Sequence, residues 1–179
     1  MGEKINWLLI IYKIPPEPSK HRVAVWRRLK EAGAIYLQNS VCILPDLPAS
    51  RDFFQTLKEM VEKAGGESLV LLTQAAEDAE EEKIVKKFND ERDQEYGEFL
   101  EQGAAFLAEI RKETERKNFS FGELEENEGE LQRLKNWLEK IKRRDFFRAQ
   151  KGEKAEKMLR ECEEALESFS NRVFEANEG

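Results

Sequence analysis

The chain has 179 residues, of which 40% are apolar and 37% charged, with a formal net charge of −7. That length suits one domain of usual size or two small ones. The charged fraction exceeds the roughly 25% of an ordinary domain, and because apolar residues keep recurring at helical spacing it points to long solvated helices rather than disorder.

The longest apolar run, Trp7 to Tyr12, is too short to span a bilayer and lacks the flanks of a signal peptide. A cytoplasmic protein without membrane association is expected. The charge is unevenly spread. Residues 1–75 hold ten Lys/Arg against eight Asp/Glu, whereas residues 76–179 hold twenty against twenty-nine. A domain boundary near Ala75 is therefore expected, with any anion-binding role in the first half.

In the first half, Asn6–Ile14 is a continuous apolar run, read as a central strand buried on both faces. Pro15, Pro16 and Pro18 end it, because proline lacks the ladder donor and restricts its neighbour. Ser19 is the expected N-cap of a helix from about Lys20 to Ala32, stopped by Gly33. Val25, Trp26, Leu29 and Ala32 fall on its apolar face, and Arg22 lies on that arc in the first turn. Ile35–Gln38 and Val41–Leu44 read as short strands joined at Asn39-Ser40. Ser50 is read as the cap of a second helix, Arg51 to Ala64, ended by Gly65-Gly66. Glu67–Thr73 reads as a fourth buried strand. The order β-α-β-β-α-β predicts a ferredoxin-like sandwich over residues 1–75.

The second half shows no strand pattern. Asp78 is the expected cap of a long helix to about Lys117, with Gly97 and Gly103 inside it. Each glycine weakens a helix by about 1 kcal/mol relative to alanine, so a bend or the close approach of another helix is expected there. Leucines from Leu124 to Leu138, then Ile141, define a second helix; Met158 to Val173 define a third. Residues 76–179 are thus predicted to form an all-helical hairpin or three-helix bundle, giving an α+β chain as a whole.

The pattern Trp7, Tyr12, Ile14-Pro15, Arg22-Val23, Trp26-Arg27, Leu29, Gly33-Ala34, Leu37-Gln38, Val41 and Leu44-Pro45 resembles the N-terminal domain of ChrB-type chromate-resistance proteins. Phe53-Phe54, Arg92-Asp93 with Glu95-Tyr96, Phe119-Ser120-Phe121 and Arg144-Asp145-Phe146-Phe147 extend the resemblance along nearly the whole chain. It implies a cytoplasmic protein associated with chromate response, in a family whose members are regarded as regulators that sense chromate and control a resistance operon. With no P-loop, GxGxxG or paired-carboxylate motif in the sequence, a non-catalytic regulatory or accessory role is expected. Full-length members also carry a C-terminal domain. The first stretch is similar, more distantly, to the C-terminal domain of PaaX-type repressors and to small CRISPR-associated endoribonucleases. Those nucleases usually place a metal-binding aspartate where this chain has Lys13, and an ammonium cannot ligate a hard cation.

Chromate is a tetrahedral oxyanion, so its recognition needs N–H donors and cations. A helix N-terminus supplies backbone donors and partial positive charge. Lys13, Ser19, Lys20 and Arg22 are the expected anion-binding residues, and Arg27, Arg28 and Lys30 the expected contacts to nucleic-acid phosphates. The alternative is a nucleic-acid-binding or helical protein-interaction module without a small-molecule effector; a homodimer through the helical tail is a further expectation. Neither a cofactor nor a metal is expected: His21 is the sole histidine, and Cys42 and Cys162 form no CxxC motif. Both cysteines read as buried, inert thiols.

Overall fold

The computed structural model describes residues 2–178. The elements are β1 (Trp7–Lys13), α1 (Lys20–Ala32), β2 (Ile35–Gln38), β3 (Val41–Pro45), α2 (Pro48–Lys63), β4 (Glu67–Thr73), α3 (Asp78–Glu115), α4 (Phe121–Arg143) and α5 (Gly152–Asn177). The protein is α+β, with one four-stranded antiparallel sheet and five helices. No described helix is long and apolar enough to cross a membrane. The chain divides into two compact units between Phe88 and Asn89.

In the first unit the strand order is β2-β3-β1-β4. β1 is central: Ile10 lies opposite Cys42 on β3 and Val70 on β4. Strand side chains alternate between faces, so Leu8 and Ile10 point one way and Trp7 and Leu9 the other. Val25 and Leu29 of α1, and Phe54, Leu57 and Val61 of α2, supply the buried helical faces. The start of α3 belongs to this unit as well. Phe88 stacks on Trp7 with centroids 5.7 Å apart and planes 10° off parallel. That contact explains why the first compact unit continues past the last strand into the helix.

Two strand expectations need correction. β1 is buried on both faces only at its start, where Trp7 and Leu8 are both covered; further along, Ile11 is exposed. β4 is not a buried strand either: Leu69 is 55% and Leu72 59% exposed. The reason is topological, because β4 lies at the sheet edge and has a neighbour on one side only. Trp26, placed by the sequence on the apolar face, is 47% exposed. It lies one step, about 100°, round the helix from Val25 and outside the Val25–Leu29 arc.

Helix ends follow local chemistry. Gly33 closes α1 at φ 79, and the N–H of Ala34 reaches back to the Leu29 carbonyl. α2 begins earlier than expected, at Pro48, with Leu47 at the N-cap and Ser50 buried inside the helix. Proline suits that first position because its missing N–H would have had no helical partner. After α2, Gly65 takes φ 81, whereas Gly66 is required by space: a Cβ there would sit 2.2 Å from the Lys13 carbonyl oxygen.

The second unit has one core shared by three helices. Phe99, Phe106 and Ile110 of α3 meet Leu131, Leu138 and Ile141 of α4 and Cys162, Leu166 and Phe169 of α5. The expected close approach occurs at Gly103, where a Cβ would fall 2.4 Å from Met158 Cγ. Cys162 Sγ donates to the Gly103 carbonyl at 3.6 Å. Ser120 caps α4, its hydroxyl accepting the Glu123 N–H at 3.2 Å.

Candidate anion-binding sites

The first candidate is the start of α1. Ser19 is its N-cap, but it has helical backbone angles (φ −61, ψ −20) and makes no side-chain capping bond. Arg22, in the first turn, is exposed rather than drawn onto the inward arc. Ser19, Arg22, Val23 and Trp26 line one open hollow; Lys13 and Lys20, both exposed, lie outside that lining. Lys13 sits across the β1–β4 ladder from Glu67. The structure therefore brings together Ser19 and Arg22 of the four expected anion-binding residues.

Arg27, Arg28 and Lys30 are all exposed on α1. Arg28 approaches Glu31 at 4.0 Å, a surface pair of little energetic weight. Lys30 Nζ lies 5.3 Å from the Trp26 ring centroid, a cation–π distance. The result is a solvated basic face with an exposed indole beside it.

A second constellation, in the second unit, was not singled out as a site in the sequence. Arg92 is 4% exposed although charged. Its Nε lies 3.2 Å from Glu95 Oε2, within ion-pair range but poorly directed, because neither atom counts a hydrogen-bond partner among the described residues. Its Nη2 reaches Glu91 Oε2 at 3.4 Å. Arg144, the C-cap residue of α4, donates from Nη2 to Glu95 Oε1 at 2.8 Å. Glu95 thus bridges two guanidinium groups. Tyr96 donates its hydroxyl proton to Asp145 Oδ2 at 2.8 Å, and the Ala149 N–H donates to Asp145 Oδ1 at 2.9 Å. The Lys151 N–H donates to Asp93 Oδ1 at 2.8 Å, tying the chain before α5 to α3.

Burial pulls the Arg92 guanidinium below its usual range; Glu95 opposes that pull and Arg144 adds to it. Burial, then the bond to Asp145, pushes the Tyr96 phenol well above its usual value. Beside the network opens a cleft of about 620 Å³ lined by Tyr96, Lys142, Asp145, Arg148, Gly152 and Glu156 among others. Arg148, on its rim, has φ 52, an uncommon conformation for a side chain of this size. A signal for this site was in the sequence. Phe88, Arg92, Tyr96 and Phe99 are spaced four, four and three residues apart, so an arginine occupies a position on an apolar helical stripe.

The thiols lie elsewhere. Cys42 and Cys162 are both buried, and burial pushes the Cys162 thiol up to about 11. Near Cys42, the hydroxyls of Tyr12 and Tyr36 share a hydrogen bond at 2.9 Å. Burial raises the pKa of both phenols.

Fold and sites together define a two-unit α+β protein that presents arginines both on a solvated helix face and inside a helical core. The family model described as "Protein ChrB, N-terminal" matches residues 22–179, and the chain belongs to that family. It is similar to Protein ChrB of Cupriavidus metallidurans, with 28% identity over 165 residues that cover 90% of this chain and 46% of that protein. The chain spans about half the length of the curated relative it matches. No solved structure matches it.

Proposed function

We propose that this protein is a non-catalytic regulatory or accessory component of chromate response, with an oxyanion as effector and DNA as target. In this reading the first unit is a ferredoxin-like sandwich and the three later helices form a bundle. The protein works in the cytoplasm, as a monomer or homodimer. Family membership supports the link to chromate. One observation supports the DNA-facing part: Arg27, Arg28 and Lys30 stand exposed on α1 beside the half-exposed indole of Trp26. Cations beside an aromatic surface suit phosphates and stacked bases.

The test is fluorescence anisotropy with duplex DNA from upstream of the protein's own gene, at low salt, with and without chromate. Replacing Arg27, Arg28 and Lys30 by alanine should weaken binding and flatten the salt dependence by about 0.9 in log–log slope per lost phosphate contact. Absence of DNA binding at low salt, with and without chromate, would remove the DNA-directed role.

A second reading is favoured by another feature. Phe121 and Phe174 are both exposed and meet edge-to-face at 5.3 Å at one end of the helical unit. An exposed aromatic pair of this kind fits a helical protein-interaction module without a small-molecule effector. Light scattering of the full chain, with Phe121→Ser and Phe174→Ser, distinguishes it: loss of a self-associated species would favour this reading.

A further inference from the structure

We propose that Arg92 and Arg144, in the second unit, form a binding site for a small tetrahedral oxyanion. The inference rests on the reading above only for the choice of chromate as one probe; its observations are those of the arginine pair.

Arg92 and Arg144 are both largely withdrawn from water, with side chains 5% and 14% exposed. A buried lysine can relieve its desolvation by losing a proton. Arginine cannot, so a buried guanidinium needs an anion beside it. Three carboxylates stand near, but they are not equally available. Both oxygens of Asp145 already accept other bonds, from Tyr96 and from the Ala149 N–H. Glu91, its side chain 43% exposed, reaches Arg92 only at 3.4 Å. Glu95 remains, one carboxylate in contact with two guanidinium groups.

Three carboxylates stand beside two guanidinium groups, yet some donors remain unused. Among the described residues, Arg92 Nη1, Arg92 Nε and Arg144 Nε have no hydrogen-bond acceptor. Reorienting Glu95 can satisfy Arg92 Nε, whose ion-pair distance is already short. It leaves Arg92 Nη1 and Arg144 Nε, two buried donors on two different cations. Charge-assisted N–H···O bonds from a guanidinium group to an oxyanion are the strong ones. A ligand here must be small, because Arg92 is almost wholly enclosed. Tyr96 and Asp145, the chain neighbours of Glu95 and Arg144, line the adjoining cleft, although neither arginine does.

The experiment uses the full chain with sodium sulfate and sodium chromate as probes. The side-chain Nε–Hε resonances of Arg92 and Arg144 are followed by NMR during titration, and stoichiometry is measured by calorimetry. The expected result is a saturable shift of both resonances, one anion per chain, and affinity reduced about tenfold or more in Arg92→Lys and Arg144→Lys, as loss of a charge-assisted hydrogen bond implies. Circular dichroism checks that the variants fold. If they do not, the wild-type resonances decide. Resonances unmoved by either anion overturn the proposal, as do folded lysine variants that bind with unchanged affinity. Binding lost in Arg22→Ala while the Arg92 and Arg144 resonances stay still also overturns it and places the anion on α1. Equal affinity for sulfate and chromate supports the site while counting against chromate selectivity, so the two readings fail separately.

Discussion

Gly103 sets two physical effects against each other. An exposed glycine inside a helix costs about 1 kcal/mol relative to alanine, so Gly→Ala at an open position is stabilising. Gly129 of α4 is such a position, with nothing within 4 Å of an added Cβ. At Gly103 the added Cβ would lie 2.4 Å from Met158 Cγ and 3.0 Å from Met158 Sδ. Ordinary carbon–carbon contact is about 3.5–4.0 Å, so the first overlap is about 1 Å. Cγ is near the root of the methionine side chain and cannot retreat without moving Met158 as a whole or shifting α5. Overpacking of this kind costs about 1–3 kcal/mol. Methionine's flexibility recovers part of it. The balance predicts that Gly103→Ala destabilises by about 0.5–2 kcal/mol, while Gly129→Ala stabilises by about 0.5–1 kcal/mol. Urea unfolding followed by far-ultraviolet circular dichroism measures both. Combining Gly103→Ala with Met158→Ala should give a favourable coupling of about 1 kcal/mol, because the truncated side chain vacates the space. Stabilisation by Gly103→Ala equal to that by Gly129→Ala would refute the account of the α3–α5 approach.

Two serines at helix starts should behave differently. Ser120→Ala removes a bonded cap and is predicted to cost about 1 kcal/mol in urea unfolding, whereas Ser19→Ala, which loses no side-chain bond, should stay within about 0.5 kcal/mol of wild type. The tyrosines predict an alkaline limit. Tyr12, Tyr36 and Tyr96 all hold their protons more tightly in the folded state. Their contribution is full below the unfolded value of about 10 and is lost as pH rises above it. Stability measured between about pH 9 and pH 12 should therefore fall, less steeply in Tyr96→Phe, and a flat profile would contradict the burial of these phenols. Both thiols should resist a disulfide reagent near neutral pH in the folded protein and react when urea unfolds it; prompt reaction of either in the native state would contradict their burial.

Local chemistry made much of the first unit legible. Three prolines marked the end of β1, Gly33 marked the end of α1, and β-branched runs marked the strands. Exposure was less legible, because it depends on which strand lies at the edge. Leu69 and Leu72 are apolar whether β4 is central or peripheral, and only the order β2-β3-β1-β4 tells the two apart. Gly66 was readable as a helix stop, but the carbonyl of Lys13 that forbids a side chain there comes from a strand far away in sequence. The basic residues of α1 were visible as a cluster, and the structure keeps them exposed. The Arg92–Glu95–Arg144 network was half visible. Arg92 sits on an apolar stripe at helical spacing, but Arg144 is fifty-two residues further on, and only the packing of α3 with the end of α4 joins them.

The central claim is that the protein responds to chromate. Titration calorimetry of the full chain with chromate at low ionic strength tests it most directly, with sulfate as the matched control. The account predicts saturable binding of one chromate per chain, tighter than sulfate. Absence of binding heat for chromate would contradict it and leave the protein-interaction reading of the helical unit in its place.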